Sequence, residues 1–141
     1  MSLNSSLKNQ IAGIVAIPAL NNLIALAARA LMAFIFIVAG YSKITGYAGT
    51  QGYMESMGVP GFLLPLVILT ELGGGLALLF GFQTRAVAAL LAGFSVITGI
   101  LFHAGSADQV QQIMFMKNLA MAGGLLAFVR TGAGKPSLDG E

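Results

Sequence analysis

The chain has 141 residues, of which 57% are hydrophobic and 9% charged, with a mean hydropathy of +0.87. A water-soluble domain of this size has too much surface for its volume to hide that much apolar side chain, so lipid is the solvent this composition fits. The net charge of +2 rests on seven basic and five acidic side chains and gives no reason to expect a nucleic-acid partner, while the absence of cysteine excludes disulfides, thiol relays and iron–sulfur ligation. One histidine excludes a haem held by two histidines of a single chain, so we expect no metal or haem bound by this chain alone and any redox role to use a diffusible cofactor.

Residues 1–22 begin polar and turn apolar, with Lys8 ahead of the run IAGIVAIPAL. Ala25-Leu26-Ala27 resembles a signal-peptide cleavage site, but Pro18, Asn21 and Asn22 interrupt the approach to it. The preferred reading is an N-terminal interfacial segment leading into a membrane domain. That domain, residues 23–130, contains four apolar runs: about Leu23 to Gly40, Leu63 to Gly81, Ala86 to Phe102 and Ile113 to Val129. Each is long enough, at ~1.5 Å per residue, to cross ~30 Å of hydrocarbon.

The first run ends at Tyr41, Ser42 and Lys43, an aromatic and a cation suited to the headgroup boundary. The long connection 44–61 holds five glycines with Tyr47, Tyr53, Met54 and Met57, and is expected as a partly ordered cap on the bundle mouth or as a plain loop. The connection Phe82-Gln83-Thr84-Arg85 is tight and turns the third helix antiparallel to the second. The tail, 131–141, is polar and Gly-rich and is expected to be disordered. The fold class that follows is an all-α membrane protein, an antiparallel four-helix transmembrane bundle.

Lys8, Arg85, Arg130 and Lys135 fall on one side of this topology, against Lys43 and Lys117 on the other. The positive-inside rule then places both termini in the cytoplasm. Small residues at four-residue spacing, Gly73, Ala77 and Gly81, Ala89 and Gly93, Ala120 and Gly124, are expected to form the close helix contacts.

The second run carries Glu71 near its middle, followed by three glycines. A lone carboxylate at that depth is costly and demands a partner. Glu71 shares a helical face with Gly74, Gly75 and Leu78, as Arg29 does with Ala33, Phe36 and Gly40. Counted from the cytoplasmic ends, Arg29 lies within ~5 Å of the depth of Glu71, and Lys117 within ~6 Å. His103 and Tyr41 lie nearer the mouth. One acid with two bases leaves a surplus cation, which suits an anion or an oxygen that becomes negative. A quinone has such oxygens. Arg29, Lys117, Asn118, Tyr41 and Phe36 are the candidate binding residues, and Glu71 and His103 the candidate proton-exchanging catalytic groups. Phe115, Met32 and Met121 would add walls. The same residues also read as a structural Arg29–Glu71 pair, a Lys117 that snorkels outward, and ordinary core.

The segments RALMAFIFIVAGYSK with Arg29, Phe36, Gly40 and Lys43, then Tyr53-Met54 and Gly58-Val59-Pro60, then Glu71-Leu72-Gly73-Gly74 through Leu78, Leu79 and Gly81 to Arg85, then Lys117-Asn118-Leu119-Ala120 and Gly123-Gly124-Leu125-Leu126, resemble the DoxX family of small bacterial membrane proteins. The likeness spans about Leu26 to Phe128. It implies a four-helix protein of the bacterial inner membrane, in a family that includes a subunit of a thiosulfate:quinone oxidoreductase and a membrane component linked to thiol and oxidative-stress complexes. By the same resemblance, the family's arginine, glutamate and lysine–asparagine positions fall on Arg29, Glu71, Lys117 and Asn118. Without cysteine, this chain cannot itself exchange thiols.

The first expectation for function is a quinone-linked oxidoreductase component. The alternatives are a non-enzymatic scaffold for a soluble redox protein, and a small-anion transporter that would need a homo-oligomer because the chain shows no inverted repeat.

Overall fold

The structure, a computed structural model, describes residues 2–141. Six helical elements follow one another: α1 (Leu3–Val15), α2 (Pro18–Thr45), α3 (Tyr47–Ser56), α4 (Gly61–Phe80), α5 (Thr84–Phe102) and α6 (Gln109–Thr131). Four of them, α2, α4, α5 and α6, are long and apolar enough to cross a membrane. Their outward faces carry Leu31, Phe34, Leu69, Leu90, Met116 and Leu126, all largely exposed. Such a belt would be a liability in water and is ordinary against lipid.

The first span is longer at both ends than its apolar run suggests. Pro18 stands at the first turn, where a fixed φ and a missing N–H cost nothing, and so it starts the helix instead of interrupting the approach to it. Asn21 and Asn22 are therefore helical. Residues 3–15 form a separate helix, opened by Ser2 accepting from the Ser5 N–H at 3.3 Å. None of its residues is buried, and Leu3, Leu7, Ile11 and Ile14 lie along one exposed stripe. The connection after α2 is ordered: α3 lies over one end of the bundle, with Met54 buried and Tyr53 stacked on Phe102 at 5.7 Å. We call that the cap end, and the opposite end the tail end.

α2 packs along α4, and α5 packs along α6. The core alternates small and large side chains, Ala33, Ala88, Ala92 and Ala122 with Phe36, Leu78, Leu91 and Leu125. Of the four-residue stripes, Gly124 meets another helix, where an added Cβ would stand 2.6 Å from Met32 Cε of α2, but the glycines that join α2 to α4 are not among them. Gly93 faces open space, Gly73 meets only its own helix's Leu69, and Ala89 and Ala120 are exposed. A Cβ on Gly40 would instead stand 2.8 Å from the Leu72 backbone nitrogen, and one on Gly75 3.1 Å from that of Ile37. These two contacts set the register of α2 against α4.

Within α4 the backbone widens into a π turn over Leu69–Gly73. π turns offset the faces of the helix on either side and recur at functional sites. This one carries Glu71.

The tail is ordered where its composition argued for disorder. Leu138 donates to the Phe80 carbonyl at 3.0 Å and Asp139 to that of Gly81 at 2.8 Å. The Asp139 carboxylate accepts from the N–H groups of Gln83 at 2.8 Å and Thr84 at 2.9 Å, so a distant residue caps α5. Arg85 donates to Glu141 at 3.3 Å and to the carbonyls of Val129 and Arg130, and Ala133 is 1% exposed. Orphaned backbone groups at two helix ends, the last carbonyls of α4 and the first amides of α5, draw the tail in.

The Thr84 hydroxyl beside it, the N–H groups of Thr84 and Gln83, and the Arg29 charge hold the Asp139 carboxyl below the usual carboxylate range. A depressed folded value means that its stabilisation is present above the unfolded value of about 4 and fades as pH falls through the folded one. Replacing Asp139 with Ala should cost about 1 kcal/mol of stability. Thermal unfolding in detergent should also lose part of the acid sensitivity seen below about pH 4 in the parent protein.

Candidate functional site

Glu71 is 7% exposed and meets Lys43, whose Nζ donates to Oε2 at 2.8 Å and Oε1 at 3.1 Å. Arg29, the partner expected from counted depth, is elsewhere. It is fully buried at the tail end, where it donates to the Leu79 carbonyl at 3.0 Å and to the Pro136 carbonyl. The register explains the difference. Gly40 is level with Leu72, whereas Arg29 is level with Gly81, whose added Cβ would meet the guanidinium. Arg29 and Gly40 are eleven residues apart, which is ~16 Å along the axis. Lys43 follows Gly40 by three residues on the face that carries Arg29, Ala33 and Phe36, and so it reaches Glu71.

Around this pair lies a cavity of about 490 Å³ beneath α3. Phe36, Glu71, His103, Lys117 and Asn118 line it, as expected from sequence, together with Met121. Lys43, Thr50, Tyr53, Thr70 and Thr98 line it too and were not among the expected site residues. Tyr41 does not: it is 62% exposed, one residue past Gly40 and so turned away from the packed face. Met32 lies instead in a separate groove between α2 and α6. Phe115 packs near Gly99.

Asn118 is held by its own helix contact, since its amide donates to the Ser95 carbonyl at 3.0 Å and to the Thr98 hydroxyl at 3.3 Å. His103 ends α5, with Nδ1 2.6 Å from Gln111 Oε1. Lys117 forms no ion pair among the described residues; its Nζ lies 3.5 Å from Met114 Sδ. The walls are apolar, including Phe36, Phe94 and Met121. The lining thus carries one buried carboxylate and two ammonium groups, Lys43 partly buried beside Glu71 and Lys117 exposed at the rim, a surplus of one positive charge bordering a largely apolar space. Among the described residues no cluster could hold a metal ion.

A model of the DoxX family matches residues 24–104. Inner membrane protein YqjF of Escherichia coli (strain K12) is 60% identical over 81% of this chain and 88% of its own length. Inner membrane protein YphA of the same organism is 35% identical over 81% of this chain and 86% of its own. A Bacillus subtilis (strain 168) protein named "Putative oxidoreductase CatD" is 39% identical over 45% of this chain and 48% of its own length. No solved structure matches.

Removing one member of a buried pair leaves the other charge uncompensated. Lys43→Met should therefore destabilise the protein by about 3 kcal/mol, and Lys43→Met with Glu71→Leu by clearly less than the sum of the single changes. Unfolding of the three variants in detergent reads both numbers.

Proposed function

The chain belongs to the DoxX family of multi-pass inner-membrane proteins, and on that premise we propose that it is a redox component that binds a quinone headgroup in the cavity around Lys43 and Glu71. The observation that carries this reading is an apolar cavity with a buried, lysine-paired carboxylate in its wall and a second lysine, the exposed Lys117, at its rim. A volume near 490 Å³ lies within the range of small-molecule sites, and polar groups converge on apolar walls as such sites require. A bound quinone supplies two carbonyl oxygens that gain negative charge on reduction and take up protons.

The chain's own groups have separable tasks. The Lys117 ammonium donates to an oxygen and offsets its growing charge. Glu71 holds and releases a proton, and Lys43 keeps its carboxylate in place. The histidine at the cavity edge, His103, carries protons to and from the mouth. Tyr53, stacked on Phe102, and Met54 keep water from the cap side. In this reading a partner protein supplies the electrons, since the chain has no cysteine and, among the described residues, no cluster suited to a metal ion. CatD, whose name includes the word oxidoreductase, lends support over part of the chain. The basic residues Lys8, Arg85, Arg130 and Lys135 favour a cytoplasmic tail end and an outward-facing cavity.

Below the cavity, Leu78, Leu91 and Leu125 are fully buried and plug the bundle, which favours a site over a pathway for an anion.

The purified protein in nanodiscs should bind a ubiquinone or menaquinone analogue. Lys117→Ala and Glu71→Gln should weaken binding about tenfold or more, the loss expected for a charge-assisted hydrogen bond, with helical content retained. Tyr41→Ala should leave it unchanged. No binding in detergent or in nanodiscs overturns the reading and leaves recruitment of a soluble redox protein as the function to test.

A further inference from the structure

The shape of the cavity says how such a ligand is attached to the membrane. α4 and α5 touch closely at one level, where a Cβ on Gly74 would stand 2.9 Å from Leu91 Cδ2. On the tail side of that level, residues 74–80 keep packing against α5. On the cap side, the residues of α4 before Gly74 make no comparable approach to α5, so the two helices diverge into a wedge. The cavity occupies this wedge.

Three sides of the cavity are closed by packing. Met54, 4% exposed, and the Tyr53–Phe102 stack form the roof. Phe36, with Leu78 and Leu91 beneath it, forms the floor. α2 closes the back, tied to α4 at Gly40 and Gly75. In the wedge, by contrast, the lining residues Leu66, Ile97 and Leu101 are also 60%, 58% and 48% exposed, on the lipid-facing surface. They belong at once to the cavity and to the outside of the bundle. Their side chains are hydrocarbon, whereas the charged groups are supplied by α2, α4, α6 and the end of α5.

We infer that the ligand is a lipid-borne quinone with an apolar tail, and that the tail leaves the cavity through the wedge between α4 and α5, past Leu66 and Ile97. The inference rests on the quinone reading of the cavity and adds the ligand's class and its seat. A polar ring reaching Lys117 and a hydrocarbon tail lying between two helices match the two halves of the space. A water-soluble anion has no use for the second half.

The test compares two ligands, a tail-less benzoquinone and a long-tailed prenylated quinone, by equilibrium binding to full-length protein in nanodiscs. Leu66→Trp and Ile97→Trp fill the wedge at lipid-facing positions that tolerate a large apolar side chain. Leu31→Trp, on an outward face of α2 that is 77% exposed, is the control. The parent protein should bind the tailed ligand more tightly. Each wedge variant should weaken it about tenfold, equivalent to withdrawing a few methylene groups from contact, and leave the tail-less ligand within about twofold. Leu31→Trp should change neither. Equal loss for both ligands, no loss for the tailed one, or equal affinity of the parent protein for the two overturns the tail seat and leaves the quinone reading standing. If the parent protein binds neither ligand, the quinone reading fails and the tail seat with it.

Discussion

A carboxylate buried among lipid-facing helices must be compensated within the bundle, and the Lys43–Glu71 pair is how this chain does it. Much of the rest is arranged to make that pair possible. Gly40 and Gly75 let α2 and α4 approach until backbone nearly meets side chain, which brings Lys43 alongside Glu71. The π turn over Leu69–Gly73 presents the carboxylate, and the divergence of α4 from α5 above Gly74 leaves space in front of it. A pair meant only to hold helices together would be enclosed on all sides. This one faces a cavity that also receives Lys117, His103 and Asn118.

The two cations of the first span meet different fates. Arg29 is fully buried and donates from its two terminal nitrogens to the neutral carbonyls of Leu79 and Pro136, its Nε making no hydrogen bond, with Asp139 near enough to be felt as charge. Its planar, multiply donating head suits the task of drawing a tail back onto a helix end. Lys43 offers a single flexible ammonium and is partly open to the cavity mouth, its side chain 26% exposed. One end of the bundle is thereby closed, and the other is kept available. The closed end relies on backbone hydrogen bonds, and the available end on charge.

The four spans were legible in the sequence because apolar length in lipid leaves few choices. So were the buried faces, Arg29 with Ala33, Phe36 and Gly40, and Glu71 with Gly75 and Leu78, since helical periodicity fixes them. What periodicity does not carry is the register between helices. Counting depth from apolar ends misplaced Arg29, because the two helix ends are not level: Gly81, just past the end of α4, lies beside Arg29, so the stretch of α2 from Pro18 to Arg29 overhangs α4. Lys43 was read as a headgroup anchor, although its place three residues after Gly40, on the face of Phe36, was the available signal. The tail misled for another reason: Gly-rich polar composition is shared by disordered chain and by chain that caps helix ends, and only the unsatisfied amides of Gln83 and Thr84 distinguish them. Four-residue stripes of small residues likewise marked helix faces without saying which face meets a neighbour.

The most direct test of a functional Glu71 is the infrared difference spectrum of the protein with and without bound quinone, compared with that of Glu71→Gln. A carboxyl band should change when the ligand binds, and that change should be lost in the variant at ligand concentrations high enough to saturate it. A saturated site whose spectrum contains no carboxyl change, or one unaltered by Glu71→Gln, would contradict a functional Glu71 and return the Lys43–Glu71 pair to holding two helices in register.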